Sequence, residues 1–205
     1  GINSNKIKNY PDFTISIQGY VPDKFSHLRN CVCIIPNKRM VDRGITTKNK
    51  YINFYCDLIN TITHENKTCY LLNHEGIEDF NLAQEIKKNL NIDIEIVTNI
   101  NALEIKGLIS SSYLCISSRF HGVSSALNSK VPCLATSWSH KYEKIFEDFN
   151  QKECILDINN YTKSHELVLR FLNKEINKKV RLQLEEKYSI IKSKNEQMWN
   201  LIWNY

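Results

Sequence analysis

Short, largely apolar runs alternate with amphipathic stretches along this chain, and that alternation restricts its fold more than any other feature. A run of four or five apolar residues is too short for a buried helix and suits a strand covered on both faces. Such runs fall at residues 31–35 (closed by Pro36), 68–72, 113–117 and 133–136 (behind Pro132), with weaker ones at 94–97, broken by Glu95, and at 154–156, three residues long. Between them the apolar residues change period. Ile52, Tyr55, Ile59 and Ile62 predict a helix over residues 47–63, and Leu82, Ile86 and Leu90 predict the next one. Asn101, with Glu104 three positions on, forms a capping box that starts another. Further helices are expected over residues 123–128 and 141–149. Strand–helix alternation of this kind predicts an α/β fold with a Rossmann-like open parallel sheet and flanking helices.

The two ends read differently. Residues 1–30 carry Pro11, Gly19 and Pro22, show no helix period, and suggest one short strand at Ile15 and Ile17. They read as a lead-in from an upstream domain, and an opening Gly1 in place of Met reads as a processed chain or a fragment. Residues 31–160 are expected to form the Rossmann-like domain. Residues 161–205 form a helical extension with Ile176, Val180, Leu184, Tyr188 and Ile191 along one side of a long helix.

Composition removes several function classes. With 205 residues, 42% of them apolar, the chain has room for one sizeable α/β domain. A net charge of +5 is mild, and the densest basic set (Lys174, Lys178, Lys179, Arg181, Lys187) reads as a solvated helix face. No ribonucleoprotein pattern or zinc-finger spacing points to nucleic acid. The seven cysteines sit mostly inside apolar runs, as reduced core residues of an intracellular protein do. Two Asn-x-Thr sequons are expected by chance in so asparagine-rich a chain. With no apolar stretch able to span a bilayer and no signal peptide, the expected location is cytoplasmic.

The residues that carry chemistry cluster where strands end. Ser117-Ser118-Arg119-Phe120-His121-Gly122 follows the run at 113–116 and precedes a helix. Open α/β sheets bind ligands at the C-terminal ends of their strands, and the following helix N-terminus favours anions. Arg119 offers a planar fork of donors for carboxylate or phosphate. His121 can hold or deliver a proton near neutral pH. Ser117 and Ser118 add hydroxyl donors, and Gly122 allows close backbone approach to a ligand. The bland alternative, a capping serine beside an exposed arginine and a satisfied histidine, is about as common on residue types alone. The strand-end location favours function.

Three further segments share that edge. Ser137-Trp138-Ser139-His140-Lys141 places Lys141 at a helix start, where an anionic ligand would offset its unfavourable position in the helix dipole. Asn73-His74-Glu75 follows the second strand, and its His-Glu pair reads as an acid/base unit or an acceptor-binding pair. Asp79 beyond it reads as a helix cap before Phe80 or Asn81. Asn37-Lys38-Arg39 follows the first strand, where Arg39 and its neighbour would meet a phosphate. No G-x-G-x-x-G, P-loop, G-x-S-x-G or His-Glu-x-x-His motif is present. Anion binding is therefore expected from side chains and helix ends.

Residues 113–149 resemble the polysaccharide pyruvyl transferase family. The likeness rests on Ile116-Ser117-Ser118-Arg119-Phe120-His121-Gly122, then Ala126-Leu127, Val131-Pro132 and the downstream Lys141. Tyr10-Pro11-Asp12-Phe13 is similar to the Pro-Asp element before the family's C-terminal domain. His74 with Asp79 falls where many members place a histidine and an acid. The resemblance implies the C-terminal half of a GT-B-like enzyme that moves the enolpyruvyl moiety of phosphoenolpyruvate onto a sugar, forming a pyruvate ketal.

It further implies Arg119 on the carboxylate or phosphate, His121 as general acid, Lys141 near the leaving group, and no cofactor or metal. The expected partners are phosphoenolpyruvate and a saccharide or lipid-linked saccharide acceptor. A lipid-linked acceptor would bring the protein to the inner face of the membrane without an anchor. Two other readings stay open: a GT-B glycosyltransferase domain using a nucleotide sugar, and a non-catalytic relative binding a glycan or protein. The apolar end, Met198 to Trp203, would serve the last as a docking surface.

Overall fold

Six short strands pair side by side in parallel, in the order β3-β2-β1-β4-β5-β6. They are β1 (Val32–Ile35), β2 (Cys69–Leu72), β3 (Ile96–Val97), β4 (Leu114–Ser117), β5 (Cys133–Thr136) and β6 (Ile155–Leu156). The computed structural model describes residue 8 and residues 10–203. The four long strands are buried along their whole length, which is why they read as continuous apolar runs. Full burial of a side chain such as Ile34 or Leu134 contributes roughly 2 kcal/mol.

The helices between strands are α1 (Arg39–Asp42), α2 (Lys48–His64), α3 (Gly76–Lys88), α4 (Ala102–Ser110), α5 (Phe120–Asn128) and α6 (Lys141–Asp148). Two more, α7 (Tyr161–Leu172) and α8 (Lys174–Trp203), form the extension. Thr47 caps α2 through its hydroxyl, which accepts from the Lys50 N–H. The capping box of Asn101 and Glu104 starts α4.

Strand order reverses between β1 and β4: chain succession runs outward from β1 to β3 on one side and from β4 to β6 on the other. The C-terminal ends of β1 and β4 therefore mark the switch point of the sheet, the usual ligand position in open α/β folds.

The lead-in differs from expectation. In place of a strand at Ile15 and Ile17, residues Phe13–Ser16 and Asp23–Leu28 form two 3₁₀ turns. The cause is local: the Asp12 carboxylate accepts from the Thr14 N–H at 2.8 Å and nucleates a turn, and among the described residues no strand lies alongside to pair with it. The segment then crosses α4 backbone to backbone, Gly19 against Gly107, with the Tyr20 N–H donating to the Leu103 carbonyl at 3.1 Å. A Cβ at either glycine would fall inside the other segment's backbone. Residues 1–7, which include part of the expected lead-in, lie outside the described residues.

Arg181 also departs from its expected place on a solvated face. It is half-buried and donates to the carbonyls of Ser112 (2.7 Å) and Tyr113 (2.9 Å), pinning α8 to the start of β4. Among the described residues no helix is long and apolar enough to cross a membrane. All seven cysteines are free and buried.

Candidate active site at the C-terminal edge of the sheet

The turn after β4 is built from beneath by a buried knot of hydroxyls. Ser118 Oγ lies 2.6 Å from the hydroxyls of both Tyr51 and Tyr55, and 2.5 Å from Thr136 Oγ1. The Tyr142 hydroxyl donates to the Ser118 carbonyl at 2.7 Å, and the Asn37 amide donates to the same oxygen at 2.9 Å. The Tyr51 hydroxyl also accepts from the Asn37 N–H. Residues from the loop after β1 and from α2, β5 and α6 thus converge on one serine. Burial pushes the Tyr51, Tyr55 and Tyr142 phenols up, so all three stay neutral over the working pH range.

This corrects the expected role of the two serines. Ser118 is inaccessible, and its hydroxyl is spent on the knot. Ser117 is equally buried. Its Oγ accepts from the Arg119 N–H at 3.0 Å and donates to the Arg119 carbonyl at 2.9 Å. Both hold the turn and neither faces a ligand. Gly122 is likewise a packing residue: a Cβ there would stand 2.5 Å from Ser117 Oγ and 3.0 Å from Ile35 Cδ1. The missing side chain lets α5 sit tight on the strand end.

With its base fixed, Arg119 becomes the N-cap residue of α5 and His121 lies in the first helical turn, earlier than the sequence suggests. The arginine crosses to α3. Its Nε donates to Asp79 Oδ2 at 2.7 Å, one terminal nitrogen meets the same oxygen at 2.6 Å, and the other terminal nitrogen pairs with Glu75. Asp79 is 1% exposed and sits inside the first turn of α3, which begins at Gly76, so it does not cap that helix. It accepts from the Lys38 N–H at 2.9 Å as well. Burial raises the Asp79 carboxyl, while the Lys38 N–H and Arg119 pull it back towards ionisation.

His74 completes the cluster. Its environment lowers it to about 4, first through burial and then through the charges of Arg119 and His121. It is therefore a neutral ring at neutral pH. Its Nδ1 is buried with no hydrogen-bond partner, as is Asn73 Oδ1. Both residues line a cavity of about 420 Å³ between the ends of β2 and β3, with Glu75, Phe80, Thr98 and Asn99. His121 is exposed.

The remaining candidates share the edge but not the cluster. Lys141 is exposed at the first position of α6, and Arg39 is exposed on α1. No described contact ties either to Arg119. Sequence reasoning missed two groups. Tyr51 and Tyr55, one helical turn apart on the buried side of α2, carried a readable signal, since a buried phenol needs a partner. Arg43, whose guanidinium lies 5.6 Å from the Trp138 ring centroid, carried none. Among the described residues no group of three or more His, Cys, Asp or Glu side chains gathers as a metal ligand set.

Comparison with known proteins follows the same lines. A family model described as polysaccharide pyruvyl transferase matches residues 1–140. No curated protein matches the chain. Among solved structures, a Listeria monocytogenes protein provisionally designated a UDP-N-acetylglucosamine 2-epimerase aligns with TM-score 0.57 and 17% identity, over 82% of this chain and 44% of that one. The Methanocaldococcus jannaschii UDP-GlcNAc 2-epimerase, solved with UDP-GlcNAc and UDP, aligns with TM-score 0.51 and 19% identity, over 80% of this chain and 41% of that one. The chain thus shares a Rossmann-like fold with part of each structure and spans less than half the length of either.

Proposed function

The chain belongs to the polysaccharide pyruvyl transferase family, and from that premise we propose that its β4–α5 turn holds phosphoenolpyruvate for transfer to a sugar. The observation that carries this reading is the pairing of a clamped guanidinium, Arg119, with a nearby exposed imidazole, His121, beside a neutral His74. Arg119 orients the donor by one of its anionic groups. His121, protonated, delivers its proton to the methylene carbon, and the positive charge that develops at C2 is met by an acceptor hydroxyl. That hydroxyl's proton leaves to solvent, because His74, held at about 4, is too weak a base to take it at neutral pH. A second hydroxyl then displaces phosphate from C2, closing the cyclic ketal, and its proton departs with the phosphate. Lys141 and Arg39, exposed on the same edge, neutralise charge on the departing phosphate.

The acceptor is a saccharide of a cell-surface polysaccharide or its lipid-linked precursor. A lipid-linked acceptor would bring this chain to the inner face of the membrane. The scheme calls on no cofactor.

Calorimetric titration with phosphoenolpyruvate and with UDP-N-acetylglucosamine tests the reading. Wild-type protein is expected to bind phosphoenolpyruvate, Arg119→Ala to lose it, and His121→Ala to keep binding while phosphate release to an acceptor stops. Binding of the nucleotide sugar alone, insensitive to Arg119→Ala, would replace this reading with that of a nucleotide-sugar enzyme. Near-normal turnover by His121→Ala would remove its acid role.

A further inference from the structure

The two carboxylates on Arg119 are not equivalent. Asp79 is buried, takes two guanidinium nitrogens and also receives the Lys38 N–H, so displacing it would strand a desolvated charge. Glu75 is 66% exposed and sits at the N-cap of α3 without capping it. Among the described residues its one side-chain partner is Arg119. The backbone turns immediately after it at Gly76, with φ +71° and open space around the position. Asp79 is a fixed anchor, and Glu75 is a carboxylate that water can readily replace.

We infer that Glu75 occupies the seat of the substrate's carboxylate on Arg119, and that phosphoenolpyruvate binds by exchanging its own carboxylate for that side chain. The inference rests on the phosphoenolpyruvate reading above and sharpens it, by deciding which anionic group Arg119 receives. Charge decides the matter. Asp79 already cancels the arginine's single positive charge, so the free edge accepts a monoanion with little penalty and a phosphate dianion with far more. Shape agrees, because the seat is already filled by a planar carboxylate against one edge of a planar guanidinium. The phosphate is then left for cations that no carboxylate in the cluster has neutralised, such as protonated His121.

The test measures dissociation constants for phosphoenolpyruvate and for inorganic phosphate by calorimetry. Wild type, Glu75→Gln, Glu75→Ala, Arg119→Ala and the Glu75→Ala/Arg119→Ala double variant are compared. A salt concentration of about 0.5 M screens the long-range effect of removing a charge. Removing an exposed ion-pair partner is expected to tighten phosphoenolpyruvate about three- to fivefold in both Glu75 variants. Inorganic phosphate should be unchanged, and the gain should vanish in the double variant. A gain in affinity is a result that structural damage does not mimic.

Unchanged or weaker phosphoenolpyruvate binding by both Glu75 variants, with Arg119→Ala still abolishing it, would overturn the exchange and leave the function standing. Equal tightening of inorganic phosphate would overturn the choice of carboxylate. Phosphoenolpyruvate binding that survives Arg119→Ala would sink the functional reading itself.

Discussion

Two arginines stand at opposite ends of strand β4, and they differ in what holds them. Arg181 reaches the N-terminal end, where its donors go to the neutral carbonyls of Ser112 and Tyr113 and to the Asn177 side chain at 3.0 Å. A longer contact of 3.5 Å reaches the Lys130 carbonyl. Arg119 stands at the C-terminal end, where every partner is a carboxylate and a cavity and two histidines lie close by. Backbone carbonyls cannot move, so Arg181 is a permanent pin between helix and sheet. An exposed carboxylate such as Glu75 can be exchanged for another, so on the proposed reading Arg119 is an anion site whose outer seat Glu75 fills. The surroundings separate structural from functional use of the same residue type.

The sharpest way to break this contrast is to remove each arginine in turn and read stability and binding together. Arg181→Ala leaves buried carbonyls and the Asn177 amide without a charged donor, a loss of about 4 kcal/mol. For a chain of this size the melting temperature should fall by about 12 °C. Phosphoenolpyruvate affinity, measured below the transition, should not change. Arg119→Ala should lose the ligand, and its lower melting point should recover in part when Asp79→Asn removes the stranded buried carboxylate. If Arg181→Ala weakened phosphoenolpyruvate binding as much as Arg119→Ala, the division between pin and anion site would fail.

A second contrast lies within the site, between exposed His121 and buried His74. His74 is held at about 4 in the folded protein, against about 6.5 for an unperturbed histidine. The unfolded chain therefore binds the proton more readily between those values. Stability is full above pH 6.5, declines as pH falls, and has lost this contribution by about pH 4, a difference of about 3 kcal/mol. Melting temperatures measured from pH 7 to 4 should fall with that slope, and His74→Gln should flatten the curve. A wild-type curve unaffected by His74→Gln would mean that burial does not hold the ring neutral.

How much of this was legible follows from the range of each interaction. Parallel strands buried on both faces declare themselves as apolar runs, and α2 and α4 declare themselves through caps within three residues, so the sheet and most helices were readable. The lead-in misled because Ile15 and Ile17 alternate as a strand would, yet a strand requires a neighbour that sequence alone does not supply. Arg119 and His121 were readable because strand-end position is a local property. Their setting was not. Asp79 meets Arg119 across 40 positions, and Arg181 meets Ser112 across 69. Nothing near Arg181 distinguishes it from the lysines around it. Ser118 misled for the opposite reason: a serine beside an active arginine looks available, and only the two tyrosines of α2 reveal that its hydroxyl is already taken.

That knot of hydroxyls supports the smallest prediction, and it bears on how the anion site keeps its shape. Tyr51→Phe removes one donor from Ser118 and the acceptor of the Asn37 N–H, while Tyr55 and Thr136 continue to satisfy the serine. The expected cost is about 1–2 kcal/mol, read as a melting shift of a few degrees. Because the ring stays in place and Arg119 is held from the other side by Asp79, phosphoenolpyruvate affinity should hardly move. Tyr55→Phe should behave alike. The Tyr51→Phe/Tyr55→Phe double variant should lose more than the sum of the two, since Ser118 is then left with one hydroxyl partner. Strict additivity across that cycle would show that the hydroxyls act as separate hydrogen bonds rather than as one coupled network.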